Sequence, residues 1–143
     1  MANDELYTPA WIFDLLGLQF DLDVASSGSN QIVVPARNRF TLFDDALSQT
    51  WHGNVWMNPP FSKPAPWVEK WLAHGNGIAL LPLSGNSRWW RSLWESDAAV
   101  SMIKPNTGFT NPEGKEQKIM YGISLWALGD HNKKALFNIS KIR

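Results

Sequence analysis

The stretch Gly77 to Leu83, GIALLPL, constrains the fold of this chain more than any other segment. It is apolar throughout, too short for a membrane span and too uniform for a strand with one wet face. Such a strand needs a sheet covered by helices above and below. The flanking sequence supplies them in alternation. Thr8 and Pro9 open AWIFDLLG, which predicts a helix capped by Thr8, with Pro9 in its first position and Gly17 at its end. FDLDVA alternates Phe20, Leu22 and Val24 with Asp21 and Asp23, the pattern of a strand carrying a carboxylate near its C-terminal end.

QIVVP predicts a short second strand stopped by Pro35, and a short helix is expected around residues 45–49. Residues 54–57 predict a strand, 66–74 a helix, SGNSRWWRSLWES a loop and helix, and AAVSMIK another strand. PNTGFTNPEGKEQK, rich in turn formers and charge, reads as a flexible surface loop. IMYGISLWAL and KALFNISKI flank GDHNK and predict an antiparallel hairpin at the C-terminus. The expected fold is a three-layer α/β sheet, mostly parallel, forming a single domain over residues 1–143. In such sheets ligands bind outside the C-terminal ends of the strands. DVASS, NPPF, PLSGN and KPNTG all follow predicted strands and should line one crevice.

Composition narrows the chemistry. The 13 basic and 13 acidic residues balance, so a nucleic-acid partner requires a local basic patch. With no cysteine there is no disulfide, thiol nucleophile or thiolate zinc site. The three scattered histidines point to no metal. No signal core or membrane span is evident, so a cytoplasmic protein without membrane contact is expected. Most of the nine tryptophans are expected in the core, leaving one or two for base stacking or an interface.

The chemistry-bearing stretch is VWMNPPFS, residues 55–62. Read plainly, it is an exit loop from a buried strand. Read as a binding device, the Asn58 side-chain carbonyl and the Pro59 carbonyl are acceptors held in place by Pro59 and Pro60. Phe61 offers a face for a flat ring. Two fixed acceptors beside an aromatic face suit the exocyclic amino group of a planar heterocycle. Bonds from both N–H groups would orient the nitrogen lone pair toward an electrophile.

NPPF is one form of the Asp/Asn-Pro-Pro-Tyr/Phe motif of amino-methyltransferases. The ordered set YTPAWIFDLL, FDLDVAS, DDAL…W, VWMNPPFS, LLPLSGNSRWW and GISLWAL resembles the small phage-type, Dam-like DNA N6-adenine methyltransferases over residues 5–128. The resemblance implies a Rossmann-like methyltransferase sheet, S-adenosylmethionine as cofactor without a metal, and double-stranded DNA as partner. It also implies, for a phage-encoded protein, action in the host cytoplasm. Asn58, Pro59, Pro60 and Phe61 would hold an adenine flipped from its duplex. Tyr7, Thr8 and Pro9 would border the methionine part of the cofactor. Asp23 would accept from its ribose or amino group, and Asp45, or its neighbour Asp44, would reach its adenine. Asn86, Ser87, Arg88 and Trp89 would support the target pocket or contact DNA.

The chain departs from the family in offering only Gly28 after the first strand. It also has Asn106 near the usual place of an arginine, with Lys104 as a substitute charge. Without room for a recognition domain, sequence choice falls to residues 104–118 or to a second subunit in a homodimer. Simpler readings stand beside these: Asp44 and Asp45 as acids that begin a helix, and Arg88, Arg91 and Lys70 as solvated helix residues. Two alternative functions share the pattern, a protein glutamine N5-methyltransferase and an inactive DNA-binding relative.

Overall fold

A computed structural model of the chain describes residues 6–28, 33–104, 107–118 and 122–140. Its centre is a mixed α/β arrangement built on one six-stranded sheet. The strands are β1 (Phe20–Asp23), β2 (Ala36–Arg39), β3 (Val55–Met57), β4 (Gly77–Pro82), β5 (Ala99–Met102) and, after a separate hairpin, β8 (Ile123–Leu128). They lie in the order β2-β1-β3-β4-β8-β5. β1 to β4 pair in parallel, while β8 runs antiparallel to both β4 and β5. Thus β1, β3, β4 and β5 all point their C-terminal ends to one edge, but the loops after β1 and β3 line one cavity and the loop after β4 another, not the single crevice expected.

Alternation within the central strands sorts the core into two layers. Trp56, Ile78, Leu80, Leu125 and Ala127 face one side with Ile12 and Phe13 of helix α1 (Ala10–Leu16) and Leu136 and Ile139 of helix α4 (Asp130–Ser140). Val55, Met57, Ala79, Leu81 and Trp126 face the other side with Val68 and Trp71 of helix α2 (Ala65–His74) and Leu93 of helix α3 (Arg88–Glu95). Every residue of β4 and β8 is buried, as an apolar run without alternation requires. No helix among the described residues is long and apolar enough to cross a membrane.

Three expectations are corrected. The expected C-terminal hairpin has only its first limb, β8. KALFNIS lies within α4, whose Asn132, Ala135, Leu136 and Ile139 are buried at helical spacing. Gly129 at φ 95° and Asp130 in the first turn start that helix where GDHNK had read as a hairpin turn. The loop expected as flexible holds the hairpin β6 (Gly108–Thr110) and β7 (Glu116–Lys118), and β6 also bridges Tyr7. The second strand begins after Pro35 rather than ending there. As an edge strand with mostly exposed side chains it reads ARNR, not as an apolar run. Of QIVVP, residues 31 and 32 lie outside the described residues.

Gly77 sets the approach of β4 to β3. A Cβ there would strike the Val55 carbonyl and stand 3.1 Å from the Trp71 indole nitrogen. Gly77→Ala should therefore destabilise the fold by about 1–3 kcal/mol, the usual cost of overpacking. A urea-denaturation midpoint equal to wild type would show that the two strands are not held this tightly.

Candidate functional site

A cavity of about 630 Å3 opens at the C-terminal ends of β1 and β3. Its walls include Tyr7, Thr8, Asp23, Asp45, Asn58 and Pro60, six positions singled out from the sequence and as far apart as residues 7 and 60. Ser26, Val34, Leu42, Phe43 and Trp56 are among the others, adding a hydroxyl and apolar surface. The volume lies within the roughly 300–1,000 Å3 of small-molecule sites.

Asn58 is half-buried directly after β3, and its Nδ2 donates to Thr8 Oγ1 at 3.4 Å. Thr8 is buried and spends its hydroxyl here instead of capping α1. Pro9 is the residue that precedes that helix, with no side-chain cap. Holding the amide nitrogen this way assigns the opposite edge of the group, Oδ1, the role of acceptor. Tyr7 is fixed in turn by β6: its N–H donates to Thr110 O at 2.7 Å and its carbonyl accepts from Thr110 N at 3.0 Å. Pro59 is buried, and Phe61 is half-buried against the core layer of α1 and α4. Neither Pro59, Phe61 nor Pro9 is among the residues lining the cavity.

Asp23 is the most perturbed group of the site. Only 2% exposed, it accepts from Ala25 N at 3.2 Å and lies 3.7 Å from the Arg39 guanidinium. Burial pushes its carboxyl up to about 6, and the Ala25 N–H and Arg39 only partly oppose that rise. Arg39 was not singled out from the sequence. It also donates from Nη2 to Val34 O at 2.9 Å, tying the cavity wall to Asp23. The available signal was the match of two strands: Asp21 and Asp23 on β1 lie beside Arg37 and Arg39 on β2, at 3.9 and 3.7 Å.

The neighbouring acids have divided roles. Asp44 Oδ2 accepts from Thr41 N at 2.7 Å in a capping box, the helix-starting role that had been the alternative. Asp45 lines the cavity with a left-handed backbone, φ 50°, uncommon for a residue with a side chain. It accepts from Ser48 Oγ at 2.6 Å. Lys70 is more than a solvated residue. Its Nζ donates to Leu47 O at 3.0 Å and Gln49 O at 2.6 Å, while Trp51 Nε1 donates to Ala46 O at 2.9 Å. The two Lys70 bonds fasten the segment that carries Asp45 to α2, and the Trp51 bond ties that segment to the chain that follows it.

A second, shallower concavity of about 570 Å3 follows β4 and includes Asn86, Ser87 and Arg88. Ser87 caps α3 by accepting from Trp90 N at 3.3 Å. Trp89 packs half-buried against the core, meets Trp90 edge-on at 6.0 Å and is not among the residues lining this concavity. Lys104 is exposed beyond β5, with its ammonium 5.8 Å from the Trp11 ring centroid. Asn106 lies outside the described residues.

The raised Asp23 value has a thermodynamic consequence. The folded state holds this proton more tightly than the unfolded chain, whose aspartate titrates near 4. The stabilisation is complete below about pH 4 and is lost as pH rises through about 6. Relative to Asp23→Asn, wild type should therefore lose on the order of 2–3 kcal/mol between pH 4 and 7.5. Urea unfolding of both proteins at several pH values tests this, and a constant difference would refute it.

The family described as DNA N-6-adenine-methyltransferase (Dam) matches residues 1–122. A DNA N-6-adenine-methyltransferase of Haemophilus phage HP1 is 32% identical over 92 residues, covering 57% of this chain and 51% of the relative. One of Escherichia phage T1 is 30% identical over 92 residues, covering 60% of this chain and 37% of the relative. The chain thus spans about half or less of the length of these curated relatives.

Proposed function

The chain belongs to the DNA N-6-adenine-methyltransferase (Dam) family, and from that premise we propose that it transfers a methyl group from S-adenosylmethionine to the N6 amino group of adenine in DNA. The observation that carries this reading is the meeting of Asn58, Thr8 and Asp23 around one cavity at the sheet edge. The strand order, with β8 reversed among parallel neighbours, supports a Rossmann-like methyltransferase sheet.

The cavity suits the cofactor by its donor set. Asp23 is a buried carboxylate facing a wall that also carries hydroxyls and apolar surface, apt for an ammonium or ribose hydroxyl beside a purine. When bound, S-adenosylmethionine supplies an electrophilic methyl group. The chain's own part is to hold the nucleophile. Asn58 Oδ1 and the Pro59 carbonyl accept the two N–H bonds of the target amine, and the two prolines keep those acceptors from moving. Their dipoles favour the positive charge that grows on nitrogen during attack, and the extra proton leaves to solvent afterwards. No residue has to remove it first. Because N6 is sheathed by pairing and stacking in a duplex, the adenine must leave the stack to reach Asn58. Phe61 follows the acceptors and supplies the apolar contact for that base, reached from its half-buried position beside the cavity.

The decisive experiment incubates the protein with labelled cofactor and unmethylated duplex DNA, then identifies the labelled nucleoside. N6-methyladenine is expected, with a loss of about 100-fold or more in Asn58→Ala, in line with removing a transition-state acceptor. Binding of S-adenosylhomocysteine should change little in that variant. Label on a protein glutamine would favour the amide substrate instead, and DNA binding without transfer would mark an inactive relative. Phe61→Ala should lower turnover more than cofactor affinity, and an equal loss of both would move Phe61 to the cofactor side.

A further inference from the structure

All nine tryptophans lie among the described residues, and Trp94 alone is exposed, at 70%. An indole left in water must be explained, since burying such a ring is among the larger gains available to a fold. Its neighbours suggest an answer. Arg88, Arg91 and Trp94 recur every third residue along α3, so their side chains form one ridge. On the opposite face of the same helix Leu93 is in the core, while Trp90, four residues before Trp94 and beside it, lines the same concavity and meets Trp126 edge-on at 5.2 Å. Arg91 Nε bonds Glu95 at 3.1 Å, using one of the five donors a guanidinium carries. Arg88 makes no side-chain hydrogen bond or ion pair among the described residues and is exposed. The ridge walls the concavity of about 570 Å3 that begins at Gly85, on the edge to which β3 delivers Asn58.

We propose that this ridge is a nucleic-acid contact: the DNA strand flanking the target crosses α3, with phosphates on Arg88 and Arg91 and a sugar or exposed base face against Trp94. The inference rests on the DNA-methylating reading and adds a binding surface to it. It extends the aromatic contact expected of Trp89, half-buried against the core, one helical turn and more along α3 to Trp94. Charge favours this partner over a second copy of the chain. A protein with no net charge gains affinity for a polyanion only where cations collect, and here two guanidinium groups, that of Arg91 shared with Glu95, precede an open aromatic face on one ridge. From Arg88 to Trp94 the helix rises about 9 Å, long enough to follow a strand away from the target pocket.

The test measures binding of a fluorescently labelled 14-base-pair duplex by anisotropy between about 50 and 200 mM KCl, and of S-adenosylhomocysteine by calorimetry. Trp94→Ala should weaken DNA binding about 5- to 20-fold, the lower range for loss of one stacking contact, and Trp94→Phe should recover most of it. Arg91→Ala should weaken binding and reduce the salt slope by about one. Cofactor affinity should be unchanged in all three. Wild-type DNA affinity in both Trp94→Ala and Arg91→Ala would overturn the proposal. So would sedimentation showing that Trp94→Ala dissociates a dimer while each protomer keeps its DNA affinity. If the unsubstituted chain neither binds nor methylates DNA, the parent function fails and this surface with it. If it methylates normally and only the variants are silent, the ridge alone is wrong.

Discussion

The structure depends on burying β3, β4 and β8 on both faces. A strand with no polar side must be covered twice, so the chain must place helices above and below the sheet. Connecting parallel strands through those helices leaves every β-to-α loop at the same edge. Trp56 shows how far this constraint reaches. On β3 it packs against Phe13 of α1 at 4.7 Å and also lines the cavity, while its neighbours Val55 and Met57 face the other layer. The strand ends at Met57, and Asn58 follows directly. The position of the motif is therefore a consequence of core packing, because the register that buries Val55, Trp56 and Met57 also decides where the amide emerges.

Packing alone leaves the amide free to rotate, and a separate chain of bonds removes that freedom. β6 holds Tyr7 by two backbone hydrogen bonds, Tyr7 precedes Thr8, and the Thr8 hydroxyl accepts from Asn58. The hairpin of β6 and β7 lies outside the main sheet and contributes little to the two core layers beyond Phe109. Its evident structural effect is to anchor the segment that orients Asn58. The Lys70 and Trp51 bonds to residues 46–49 do the same on the far wall, holding Asp45 in a backbone conformation that an unsupported aspartate would leave.

What could be read from the sequence follows from which physical signals are local. The two-sided strand, the helices over residues 65–74 and 88–95, and the proline loop all announce themselves within a few residues. So did six of the residues that line the cavity. Where reading failed, the deciding interaction was distant. β2 is polar because it is an edge strand, held to β1 by backbone hydrogen bonds, with Arg37 and Arg39 beside Asp21 and Asp23 where an apolar run was expected. Thr8 looked like a helix cap because no local feature discloses that Asn58, fifty residues on, claims its hydroxyl. The segment after Gly129 balanced turn formers against a helical spacing of buried residues, and packing on α1 and β5 decided for the helix.

The same contrast separates Asp23 from the other acids. A carboxylate on a strand beside an arginine would ordinarily be held ionised, yet burial outweighs the Ala25 N–H and the Arg39 guanidinium here. The guanidinium is 3.7 Å away rather than in a close fork, and it gives part of its bonding to Val34 O. A carboxyl held in that condition is poorly satisfied by its own protein. It gains most from a ligand that brings a positive charge or hydroxyl donors into the cavity, since those would supply what burial has removed. Asp23 thus differs from Asp44 and Asp45 in being a carboxyl that the fold buries without fully pairing.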